Sequence, residues 1–223
     1  MNSDQKQAVR IADRVYQLLK LKIGEREKEV AFRIKQLLKE FGARPAFRII
    51  VASGKRSAKP HGFATTKRLC PGETVMLDFG AMVNGYRSDL TRTIFLGPLT
   101  SKQRKIYKVV RVAQTKAIAA VRAGQPCCEI DRAARHYIAQ QGYGRYFIHS
   151  TGHGIGRKVH QAPKISKKNR RRLKVGDVIT IEPGIYLKGW GGVRIEDMVL
   201  VTKNGCRVLT RSPRKIFTIS TIK

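Results

Sequence analysis

Hydrophobic positions near the start of the chain recur at intervals of three and four, the period of a helix with one buried face. Within residues 5–21 this stripe is Ala8, Ile11, Ala12, Val15, Leu18 and Leu19. A second stripe, Val30, Ala31, Ile34, Leu37, Leu38 and Phe41, ends at Gly42, where a helix favours a residue that tolerates a left-handed backbone. The period then changes. The run FRIIVASG predicts a strand. VMLDFGAMVNGY followed by SDLTRTIFLG predicts a hairpin turned at Asn84-Gly85, a dipeptide that accepts the positive φ angles of a tight turn.

The same order of elements then returns. Thr100 with Gln103 is a capping-box pattern that opens a long helix through Ile106, Val109, Val110, Ala113, Ala117 and Val121, closed by Gly124. Residues 129–141 predict the next helix, ended by Gly142. Gly24 and Gly42 are 18 residues apart, as are Gly124 and Gly142. Leu69, Gly72, Asp78, Gly85 and Tyr86 match Leu173, Gly176, Glu182, Gly189 and Trp190 at a constant offset of 104. The pattern predicts an α+β fold, a pseudo-two-fold repeat of helix pairs backing a curved antiparallel sheet. Carboxylates of both halves are expected to converge on the concave face, at the pseudo-axis.

At 223 residues and 42% hydrophobic, the chain supports one substantial core, and we expect one catalytic domain over residues 1–223 with no separate N-terminal domain. The polar start MNSDQKQ runs into an amphipathic pattern, so neither a signal peptide nor a membrane span is expected, and the cytoplasm is the expected location. Cys70, Cys127, Cys128 and Cys206 show no CxxC spacing and are expected to be thiols. Charge changes the picture further. With 46 basic residues against 15 acidic, the net charge of +31 predicts a field that attracts RNA, ribosomes and other polyanions. The densest run is KKNRRRLK at 167–174, but the remaining charge is spread along the chain and forms no nucleic-acid-binding motif.

Four of the acids, Asp78, Asp89, Glu182 and Glu196, sit in apolar, glycine-punctuated stretches where a lone carboxylate is costly to bury. A bound dication would compensate them. Asp78 follows Val75, Met76 and Leu77, and Asp89 comes eleven residues later, past the Asn84-Gly85 turn. Glu182 ends VITI and Glu196 ends GGVRI, which repeats the arrangement. Four oxygen donors with one imidazole suit a pair of divalent ions, with manganese, iron, cobalt or zinc favoured over copper. Four of the five histidines lie in motif contexts: His61 in KPHGF, His149 and His153 in HSTGHGIG, and His160 in VHQAP. Ser150, Thr151 and Gly152 argue against a helix between His149 and His153, so His149 is expected to support the site without binding metal.

The ordered set DFGA, YRSDLTRT, GHGIG, IEPG and RIED resembles the pita-bread metallopeptidases, which include methionine aminopeptidase, Xaa-Pro aminopeptidase, prolidase and creatinase. The resemblance runs from the first helix to the last strand. It implies the pita-bread fold and two divalent metal ions held by Asp78, Asp89, His153, Glu182 and Glu196. It also implies that His61 and His160 bind substrate and handle protons around the scissile amide. Glu182 is then a proton acceptor as well as a ligand, and Arg194 joins the two histidines as a substrate contact.

Arg194 two residues before Glu196, Asp197 after it, SDLTRT and EPGIY all look like the Xaa-Pro branch. The implied activity is removal of the residue before proline from a peptide with a free N-terminus, by an aminopeptidase or dipeptidase that could act as a homodimer. Many relatives in that branch carry a separate N-terminal domain, and this sequence begins in the first helix of the catalytic domain. Two rival readings are a methionine aminopeptidase and a catalytically silent relative that binds RNA or ribosomes through its charge.

Overall fold

The computed structural model describes residues 1–219. Two helix pairs form where the stripes predict them: α1 Ser3–Leu18 with α2 Glu27–Glu40, and α3 Ser101–Ala119 with α4 Cys127–Gln140. The caps explain the starts. The Asn2 side chain accepts from Gln5 N at 2.9 Å, and Thr100 with Gln103 forms a reciprocal capping box. The first N–H groups of α4 donate to the carbonyls of Arg171 and Asn169 instead of to a side chain. α1 stops three residues short of the predicted end, because Leu19 is extended and Leu19 and Leu21 bury alternately with exposed Lys20 and Lys22, as in a strand.

Fourteen strands follow in chain order among the described residues: β1 Arg44–Pro45, β2 Ile50–Ser53, β3 Thr74–Phe79, β4 Ala81–Val83, β5 Tyr86–Arg87, β6 Leu90–Leu96, β7 Gly152–Gly154, β8 Gln161–Ile165, β9 Val178–Ile181, β10 Gly184–Leu187, β11 Gly191–Arg194, β12 Asp197–Val201, β13 Cys206–Val208 and β14 Thr218–Ile219. The single curved sheet of the sequence reading is divided into separate ladders. The larger two run β14-β6-β3-β2 in the first half and β13-β12-β9-β7-β8 in the second. Every pairing is antiparallel except β6 with β14. The predicted hairpin exists as β3 paired with β6, and inside it β4 and β5 turn at Asn84-Gly85 with φ of 47° and 81°.

The repeat is physical as well as textual. Gly24 N and Gly124 N donate to the carbonyls of Leu69 and Leu173 at the same 2.8 Å, and Arg68 and Arg172 each return a guanidinium bond to the same glycine, at 2.7 and 2.8 Å. Each half has its own apolar core between its helix pair and its ladder. One is built around Val15, Ile34, Leu38 and Leu77, the other around Val110, Ile130, Ile179 and Val199. The halves are joined through β6 and β11. Thr93 Oγ1 donates to Arg194 O at 2.8 Å and accepts from Arg194 N at 3.1 Å, and Glu196 N donates to Thr91 O at 3.1 Å. Behind this junction Arg92 is 1% exposed, paired with Asp197 at 2.7 Å and donating to the carbonyls of Thr91, Glu196, Ser212 and Pro213.

Candidate metal centre

The junction between the halves opens into a cavity of about 810 Å³. β3 brings Asp78, the residue before β6 is Asp89, β7 carries His153, β9 leads into Glu182, and Glu196 lies between β11 and β12. All five line this cavity, together with His61, His149, His160 and Arg194. Asp89, His153 and Glu196 are buried, with one ligand atom from each lying within 4.8 Å of the others. His153 Nε2 is 3.2 Å from Glu182 Oε1 and 3.8 Å from Asp89 Oδ2. The glycines around His153 make this placement possible. A Cβ on Gly152 would stand 1.9 Å from Thr180 O and one on Gly154 2.3 Å from Ala162 O, so only bare backbone lets β7 seat this closely among its neighbours.

The donor set fits divalent cations. Asp78 Oδ1 and Glu196 Oε1 are buried without a hydrogen-bond partner, an arrangement that leaves costly acceptors unless a cation meets them. Burial, and then the neighbouring charges of Glu196, Asp78 and Glu182, push the Asp89 carboxyl well above the usual carboxylate range. Burial, then Glu182 and Asp78, raise Glu196 to about 8. Burial works against the charged form of His153, yet the hydrogen bond and charge of Glu182 lift its pKa to about 9. A nest of buried carboxylates that repel one another is what divalent cations neutralise.

The remaining groups hold the donors. Glu196 Oε2 accepts from Thr91 Oγ1 at 2.7 Å. Arg194, 3% exposed, donates to Asp78 Oδ2 at 2.6 Å, to Tyr186 Oη at 2.9 Å, to Pro60 O at 3.2 Å and to Thr91 Oγ1 at 3.1 Å. Arg194 was expected to contact substrate, but each of its guanidinium nitrogens is engaged within the protein, where it anchors Asp78. His149 is engaged at both ring nitrogens, with Nε2 2.8 Å from Tyr186 Oη and Nδ1 2.8 Å from Ser150 O. His160 is exposed, its ring stacked edge-on to His153 at 4.3 Å between centroids, and His61 is exposed on the same cavity.

Sequence reasoning missed a pair of clamps behind the loops that carry the histidines. In the second half, fully buried Asp131 accepts from Thr151 N at 3.2 Å, from Thr151 Oγ1 at 2.8 Å and from Arg135, and Arg135 donates to the carbonyls of Phe147 and His149 at 2.8 Å each. In the first half, fully buried Glu27 accepts from Thr65 N at 3.0 Å, from Thr65 Oγ1 at 2.7 Å and from Arg56, and Arg56 donates to Phe63 O at 2.8 Å, two residues past His61. The repeat does not mark them: the helix pairs are offset by 100 residues, which sets Glu27 opposite Cys127, the first residue of α4.

Residues 4–203 match the model of metallopeptidase family M24. The Xaa-Pro dipeptidase of Pyrococcus furiosus is 51% identical over 194 residues, which cover 86% of this chain and 56% of that protein. Among solved structures, the Xaa-Pro dipeptidase from Bacillus anthracis superposes with a TM-score of 0.96 at 43% identity, over 97% of this chain and 62% of that one. The X-Pro aminopeptidase from Thermotoga maritima gives 0.95 at 40% identity, over 97% and 62%. The chain therefore spans a little more than half the length of these relatives, and its fold is their pita-bread fold. Among the described residues no helix is long and apolar enough to cross a membrane.

Proposed function

We propose, on the premise that the chain belongs to metallopeptidase family M24, that it is the catalytic domain of an Xaa-Pro dipeptidase or aminopeptidase. The observation that carries this reading is the convergence of Asp89, His153 and Glu196 within a cavity also lined by Asp78, Glu182, His61 and His160. Asp78, Asp89, His153, Glu182 and Glu196 would hold two divalent ions, manganese, cobalt, zinc or iron, which would supply Lewis acidity toward the scissile carbonyl and the attacking water. Glu182, on the cavity lining, would accept the proton of that water. His61 and His160 stabilise the developing charge and protonate the leaving nitrogen, so that it departs as a neutral amine instead of an amide anion. Phe47, Phe63 and Val159 offer apolar walls for the pyrrolidine ring, while Lys164 and Arg48 place cations on the cavity lining where a dipeptide carboxylate could bind. Four unbridged cysteines agree with a reducing, cytoplasmic setting. The +31 charge supports a general attraction for RNA, ribosomes and other polyanions.

A panel of dipeptides tests the reading, with metal content measured on the same samples. Met-Pro and Ala-Pro should be cleaved and Met-Ala left intact. Release of methionine from Met-Ala alone would assign the chain to the methionine aminopeptidase branch. No hydrolysis of any peptide by the metal-loaded protein would favour a silent binding relative.

The histidines provide a separate test. His160→Ala should keep its metal and lower kcat, as expected when a contact to the transition state is lost. His153→Ala should lose metal. The reverse pattern in metal analysis would reverse the ligand assignment.

A further inference from the structure

Two cavities of about 650 and 580 Å³ adjoin on the outer face of α4 and share Glu129, Arg132 and His136. None of the residues lining them lines the catalytic cavity. Six cationic side chains face them against two carboxylates, a surplus of four. Both carboxylates are already matched: Asp131 is buried against Arg135, and Glu129 pairs with Arg132. Lys116, Lys167 and Arg170 have no carboxylate partner among the described residues. At one end the half-buried ring of Tyr137 lies under Lys116 Nζ, 5.4 Å from the ring centroid.

We propose that this groove binds the phosphodiester backbone of a single-stranded nucleic acid, with a base stacked at Tyr137. Exposed cations lining a groove that can track a strand, with an aromatic ring under one of them, are the combination that unpaired nucleotides use. A duplex keeps its bases inside the stack and offers none to Tyr137. The inference goes beyond a general charge attraction because it assigns the affinity to one face.

The test measures fluorescence anisotropy of a labelled single-stranded 15-mer oligonucleotide at low salt. Wild type is compared with a triple variant, Lys116→Gln, Lys167→Gln and Arg170→Gln, and with a control triple on α1 and α2, Arg10→Gln, Arg14→Gln and Lys39→Gln, which removes the same charge from exposed positions. The groove triple should weaken binding by about tenfold or more, through the lost phosphate contacts, and the control by much less. Tyr137→Leu should weaken binding of the single strand and leave that of a duplex of equal length unchanged. Dipeptide hydrolysis and the circular dichroism of folded protein should be the same in all four proteins. Equal weakening by the two triples would reduce the effect to bulk charge and overturn the groove. Absence of oligonucleotide binding by wild type, or tighter binding to the duplex or to phosphatidylserine vesicles than to the strand, would overturn it as well.

Discussion

Alanine at Asp89 or at Glu196 should lower kcat/KM for an Xaa-Pro dipeptide by about 10³-fold or more, a loss of roughly 4 kcal/mol of transition-state stabilisation. Both carboxylates belong to the tight cluster with His153, and burial together with the charges of neighbouring carboxylates raises the pKa of each, so each is placed where cation charge is most needed. Truncating either removes a buried donor that no neighbouring side chain replaces. Metal analysis should show at least one ion lost per chain in each variant, a readout independent of turnover. Chelation of wild-type protein should abolish hydrolysis, and added manganese or cobalt should restore it. Either variant retaining wild-type activity with full metal content would sink the site assignment.

Replacing Arg92 by methionine should destabilise the fold by about 3–5 kcal/mol, the range for breaking a buried ion pair from one side. Arg92 and Asp197 are each 1% exposed, and Asp197 Oδ1 also accepts from Thr210 Oγ1 at 2.5 Å while Oδ2 accepts from Gln114 Nε2 at 3.0 Å. Without the guanidinium, the carboxylate keeps the hydrogen bonds of Thr210 and Gln114 and the cation of Arg214 at 3.5 Å, and the carbonyls of Glu196, Ser212 and Pro213 lose a donor. Urea titration measures the loss. The double variant Arg92→Met with Asp197→Leu should be more stable than Arg92→Met alone, because it removes the stranded charge as well as its partner. A single variant as stable as wild type would show that the pair contributes nothing.

What could be read before the structure was known divides by distance along the chain. The helix pairs, the Asn84-Gly85 turn and the repeat glycines are written in local periodicity and local backbone preference. Asp78, Asp89, Glu182 and Glu196 stood out because acids are scarce in this chain and these four interrupt apolar runs. The clamps did not stand out. Glu27 joins Thr65 and Arg56 across 38 and 29 residues, and nothing near Glu27 in sequence marks it as buried. The role of Arg194 depends on Asp78, which lies 116 residues away in the other half. The division of the sheet into ladders was equally hidden, since it depends on how two twisted halves meet and not on the alternation within any one strand.

The junction at β6 and β11 has a thermodynamic consequence. Asp78 and Asp89 come from one half and His153, Glu182 and Glu196 from the other, so the complete ligand set exists only while the halves are docked. Any cation that prefers the docked form to the unfolded chain raises the stability of that form by mass action, by about 2.7 kcal/mol when present at a hundred times its dissociation constant. The melting temperature of this protein is thus a reading of the free metal concentration around it.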